Sequence, residues 1–150
     1  MADGVTSYIT LINGVVNGLK ADTDLIALVP VAQIFYGGPE QNALLQMPSI
    51  TVELESASEV DVNMPKRKEL VSRFLITAYE NSPDYITGLQ NVQNIVEKID
   101  DALQKKYTVD GQAIYSQVAN RRFLAGEWDS VPIMACSMDY IVRTRFVRAT

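Results

Sequence analysis

A chain of 150 residues, 47% apolar and 21% charged, has the size and composition of one globular domain, residues 1–150, that buries roughly two thirds of the surface its unfolded form would expose. It has no histidine and a single cysteine, Cys136, which excludes Ser/His/Asp triads, Cys/His pairs, most zinc sites and an internal disulfide. Its net charge of −5 is unevenly spread, since residues 1–62 hold eight acids and one base, and an acidic chain is poorly equipped to wrap DNA phosphates.

Tyr8, Leu11, Ile12, Val15, Val16 and Leu19 recur at helical spacing and predict a helix over 5–20. Asn13-Gly14 and Asn17-Gly18 are turn-like dipeptides, but their four-residue offset puts both glycines on one stripe. A weakened or kinked helix is the plainer reading, and a closely packed neighbour the other. Asp22 reads as the N-cap of a short helix through residue 29, ended by Pro30. Residues 33–36 have the composition of a short strand before Gly37-Gly38-Pro39 turns the chain, and a loop runs on through Met47.

From 49 to 55 alternation is clean, with Ile50, Val52 and Leu54 on one face and Thr51, Glu53 and Glu55 on the other. Residues 68–79 predict a second strand, apolar on both faces. The intervening 56–67, with Glu59, Asp61, Met64 and the basic Lys66-Arg67-Lys68, is too long for a tight turn and reads as a projecting hairpin arm suited to partner contact. Ser82-Pro83-Asp84 reads as an N-cap, a first-turn proline and a dipole-matched acid opening a helix over 82–106. Ile86, Leu89, Val92, Val96, Ile99 and Leu103 form its apolar stripe. Asp110-Gly111 turns the chain into a strand over 114–124, interrupted at Asn120-Arg121-Arg122. Residues 126–132 connect it to a last strand over 133–147. Helix, short helix, three strands, long helix and two strands predict an α+β domain, a bent and largely antiparallel sheet with helices mainly on one face.

The longest nearly apolar run, 25–32, contains Pro30 and is far short of the ~20 residues a membrane span needs, so no membrane partner is expected. Met1-Ala2-Asp3-Gly4 lacks the basic start of a secretory signal, and synthesis and folding in the cytoplasm are expected.

Catalytic readings find little support. Cys136 lies on an apolar strand face without a base and reads as a small buried hydrophobe. Gly37-Gly38-Pro39-Glu40 lacks the spacing of a phosphate loop. Glu53 and Glu55, two residues apart, have the spacing of a metal or acid/base pair, but no third ligand accompanies them and a solvated or interface face is the simpler account. A carboxylate enzyme and a sequence-neutral nucleic-acid binder are therefore both disfavoured, and no cofactor is expected. Lys66-Arg67-Lys68, Arg121-Arg122, Arg143, Arg145 and Arg148 are either ordinary solvated charge or contacts to the acid-rich half of an adjacent subunit. Trp128 reads as a core-edge anchor.

The early helix, Ile34-Phe35-Tyr36-Gly37-Gly38-Pro39, Pro48-Ser49-Ile50-Thr51-Val52, the helix after Ser82-Pro83-Asp84 and the closing Asp139-Tyr140-Ile141-Val142-Arg143 together resemble the tail terminator, or tail completion, proteins of long-tailed bacteriophages. The resemblance spans nearly the whole chain and is one of layout. It implies a non-enzymatic virion protein of the tail or neck region, a homohexameric ring that caps the tail tube, ends its polymerisation and meets the head-tail connector protein. A head-tail connector or adaptor on the portal side is the alternative. The resemblance also implies a central channel that genomic DNA crosses without sequence-specific binding. Glu53 and Glu55 are then candidate channel-lining acids, and Glu59, Asp61, Met64, Lys66, Arg67, Lys68, Arg121, Arg122, Arg143 and Arg145 are candidate contacts to the tube or to neighbouring subunits.

Overall fold

The computed structural model describes residues 8–38, 46–61, 67–105, 109, 115–128 and 130–147. The expected order of elements is present. Helix α1 spans Tyr8–Lys20, α2 Thr23–Ile26, and a 3-10 turn at Val31–Gln33 leads into β1 at Ile34–Tyr36. Then follow β2 at Ser49–Asp61, β3 at Arg67–Glu80, α3 at Tyr85–Lys105, β4 at Tyr115–Trp128 and β5 at Val131–Val147. The five strands form an open sheet ordered β1-β2-β3-β5-β4, antiparallel except for the β1–β2 pair.

Strand periodicity decides where the core lies. Rows such as Leu54, Phe74, Tyr140 and Val118, or Ile50, Ala78, Cys136 and Phe123, cross the sheet in register on one face. Against that face α1 contributes Leu11, Val15 and Leu19, and α3 contributes Val92, Ile95, Val96, Ile99 and Leu103. Cys136 is buried in this cluster. The buried stripe of α3 begins later than its spacing predicts, since Ile86 is 66% exposed.

Local chemistry sets the helix ends. Asp84, not Ser82, caps α3, its carboxylate accepting the Thr87 N–H at 3.0 Å and the Thr87 hydroxyl at 2.6 Å. Asp22 caps α2 as expected, accepting the Leu25 N–H at 3.0 Å, and also meets Lys105 at the far end of α3 at 3.3 Å. Burial pulls the Asp22 carboxyl up, but the Leu25 N–H and the Lys105 ammonium outweigh it and hold the group below its ordinary value. The glycine stripe of α1 has a packing purpose at Gly14. A Cβ there would stand 2.6 Å from the Val109 side chain and 3.3 Å from its carbonyl oxygen, so α1 is approached closely and is not merely weakened.

Two bulges shape the sheet. Register slips between Leu54 and Ser56 on β2, and between Ala119 and Arg121 on β4, where Asn120 takes a left-handed φ of 51°. The Asp110-Gly111 turn, Pro39, Glu40, Met64, Lys66, Lys106 and Arg148 fall outside the described residues.

Candidate functional site

The residues singled out from the sequence fall at three places on the sheet. The first is the far end of the β2–β3 hairpin. Register sets Asp61 opposite Lys68, Glu59 opposite Leu70, Arg67 opposite Val147 and Glu69 opposite Arg145, so an acid of β2 stands opposite a base of β3 and an acid of β3 opposite a base of β5. Arg143 meets Glu69 at 3.6 Å. The stretch expected to project as an arm is mostly sheet: β2 continues to Asp61, β3 starts at Arg67, and β5 flanks β3 along its whole length.

The second place is β4. Its bulge directs the adjacent arginines to opposite faces. Arg121 reaches over the helical face to Asp100 of α3 at 2.7 Å, while Arg122 reaches Asp139 on the other face at 3.3 Å. The third is the border of β2 beyond β1. Glu53 is half-buried, with a carboxylate oxygen 3.0 Å from where a Gly38 Cβ would stand, and Glu55 is the exposed extra residue of the bulge. The two acids therefore do not form the simple same-face pair that their spacing suggests.

A polar centre that the sequence did not single out lies on the helix-free face. The Asp139 side chain is only 3% exposed and receives Asn120 at 3.1 Å, Arg122 at 3.3 Å and Arg73 at 3.5 Å. Burial alone pushes this carboxyl up, but Asn120, Arg122 and Arg73 outweigh it, and the group titrates below its usual range. Asp139 thus ties β5 to β3 and β4 at once. The only sequence signal was an acid within an otherwise apolar-alternating strand.

β1 pairs with β2 only at residues 50–52, so among the described residues no strand covers residues 53–61 on that side, and none covers β4 on the other. Residues 54–58 and 120–127 are exposed, including Leu54 at 37%, Phe123 at 47% and Leu124 at 70%. Uncovered strand edges are templates for further strand pairing. Between α3 and β4 lies a groove of about 330 Å³ lined by Asp100, Leu103, Gln104, Ser116, Val118 and Tyr140. Its one carboxylate is held by Arg121. Among the described residues no three or more of His, Cys, Asp and Glu are grouped to hold a metal, and no helix is long and apolar enough to cross a membrane.

No family model matches the chain, and no curated protein is significantly similar to it. Among solved structures it is similar to a chain of the virion of a native gene transfer agent particle, with a TM-score of 0.55 and 16% identity. The match covers 93% of this chain and 99% of that one. At that identity the likeness is one of fold, and it extends over essentially the whole of both chains.

Proposed function

We propose that this chain is a structural subunit of a phage-like virion, and that it works as a tail terminator: a ring of identical subunits that caps the tail tube, stops its growth and supplies the joint to the head connector. The observation that carries this reading is the end-to-end match of fold with a chain of a gene transfer agent virion, with no large part of either chain left over. The open sheet supports it. A domain in which, among the described residues, no further strand covers residues 53–61 of β2 or the outer side of β4 is suited to contact copies of itself side by side, and such a heterologous contact closes into a ring when its rotation divides a full turn.

Capping requires one ring face that matches the tube end and another that refuses further tube subunits. The charged end of the hairpin, where Glu59, Asp61, Arg67, Lys68, Arg143 and Arg145 gather, is the proposed tube-facing or intersubunit contact. Genomic DNA would cross the ring without sequence-specific binding, past acids such as Glu53 and Glu55 that repel phosphate. The role is assembly, without an enzymatic step or a cofactor. Particles produced without this chain should carry tubes of uncontrolled length and filled heads lacking tails. Normal tails joined to heads in its absence would overturn the proposal.

A further inference from the structure

We infer that the ring is closed by strand addition: residues 121–126 of β4 in one subunit pair antiparallel with residues 56–61 of β2 in the next, so that the sheet continues from subunit to subunit. The inference rests on the ring reading and specifies its contact.

Three observations converge on a second copy of this chain as the occupant of each edge. Polarity comes first. β2 is antiparallel to β3, β3 to β5 and β5 to β4, so β2 and β4 run in opposite directions. A neighbour rotated about an axis along the strands therefore offers its β2 antiparallel to β4, the pairing with perpendicular hydrogen bonds. Charge comes second. Residues 53–61 carry Glu53, Glu55, Glu59 and Asp61 and no base, whereas β4 carries Arg121 and Arg122 and, of acids, Glu127 alone. Two copies of β2 or two copies of β4 would repel, and only the unlike edges attract.

Register comes third. β1 already occupies the β2 edge at residues 50–52, so the incoming strand must start beyond Val52. Setting Gly126 of one subunit opposite Ser56 of the next clears β1 and the bulge at Glu55. Antiparallel counting then sets Leu124 opposite Ser58 and Arg121 opposite Asp61. These partners share a sheet face in each case: Leu124 and Ser58 lie in register with Ala135 and Val71 on the helix-free face, and Arg121 and Asp61 with Met138 and Lys68 on the helical one. The contact also covers Leu124 and Phe123, both exposed apolar residues of β4. Arg121 and Arg122 keep Asp100 and Asp139 within their own subunit, which holds the edge strand flat against its sheet before a neighbour arrives.

The test uses the full chain. In Ser58→Cys/Leu124→Cys the new thiols lie on opposite borders of one sheet, separated by β3 and β5. At about 4.8 Å per strand they are too distant for a disulfide, which needs Cα atoms within about 7 Å. Any disulfide between them must therefore join two chains. Mild oxidation should give a ladder of covalent oligomers, with Cys136 protected by its burial. In parallel, Glu55→Lys/Glu59→Lys and Arg121→Glu/Arg122→Glu are purified separately, checked for folding by circular dichroism and sized by analytical ultracentrifugation.

Each variant alone should associate at least tenfold more weakly than the native chain, and an equimolar mixture should recover association, because every junction then unites unlike charges. Oligomers of undiminished strength from both variants, or a native oligomer without a covalent ladder, would overturn edge pairing while leaving the ring reading intact. A native chain that stays monomeric to about 1 mM, the weak end of measurable association, and forms no ladder would also overturn it. The capping role would still be decided independently at tube ends.

Discussion

Asp139 is the residue on which the helix-free face depends. A carboxylate 3% exposed receives donors from β3 and β4 while standing on β5, so its loss unties the three strands that make up most of the sheet. Asp139→Ala should destabilise the chain by about 1.5–3 kcal/mol at pH 7, the range for hydrogen bonds to charged groups, read by urea unfolding. The sign of the pH dependence follows from the direction of the shift. A carboxyl held below its ordinary value contributes stability that is fully present above the unfolded pKa of about 3.9 and is lost as pH falls through the lower folded value. The native chain and Asp139→Ala should therefore converge in stability as pH falls from about 3.9 through that lower folded value. A difference that stays constant across that window would assign the loss to packing rather than to charge. Sequence alone could mark Asp139 as polar. It could not find Arg73 and Arg122, because they arrive through a strand order, β3-β5-β4, that departs from chain order.

At the scale of elements, the contact between α1 and Val109 makes a sharp prediction. Gly14→Ala adds helix propensity worth up to about 1 kcal/mol, yet places a methyl 2.6 Å from the Val109 side chain, an overpacking that typically costs about 1–3 kcal/mol. The net effect should be destabilising. In the Val109→Ala background the same substitution should become neutral or stabilising, and a thermal-unfolding double-mutant cycle reads the reversal. The cap of α3 is tested likewise: Asp84→Ala should speed amide exchange in the first turn of the helix, while Ser82→Ala should not, since Asp84 supplies the acceptor for Thr87.

These elements also show what can be read from a chain. The apolar alternation of β3 and β5 and the 3–4 spacing of α3 were legible because each packs a full face into the core. Residues 126–128 read as a connection and are strand, and 56–61 read as part of a projecting arm and are paired within the sheet. Residues 56–58 and 126–127 are exposed, and a strand with no face to bury leaves no hydrophobic period. The bulges at Glu55 and Asn120 escaped for a related reason, since a one-residue slip is a property of the pairing and not of one strand. Ser82 and Asp84 are both good caps, and composition alone does not rank them.

For the whole molecule, the account joins an open five-stranded sheet to a role that needs lateral copies of itself. The charge split along the chain becomes a split across it, acids along β2 and arginines on β4, which is what a head-to-tail ring requires and a mirror-like dimer does not. Glu53→Lys/Glu55→Lys should weaken ring closure, because Glu55 borders the stretch that meets β4. If acids near the β2 border also face the DNA path, the particles that do assemble should deliver their genome several-fold less efficiently, measured as transfer per physical particle. Unchanged delivery would remove those two residues from the channel.

The central claim is capping, and the most direct measurement is electron microscopy of purified tail-tube subunits polymerising with and without this chain, scoring tube length and end density. The account predicts a ring at one end of each tube and arrested growth once the chain is in excess over ends. Tubes of unaltered length with bare ends, and this chain bound instead to isolated portal or connector complexes, would contradict it and assign the protein to the neck.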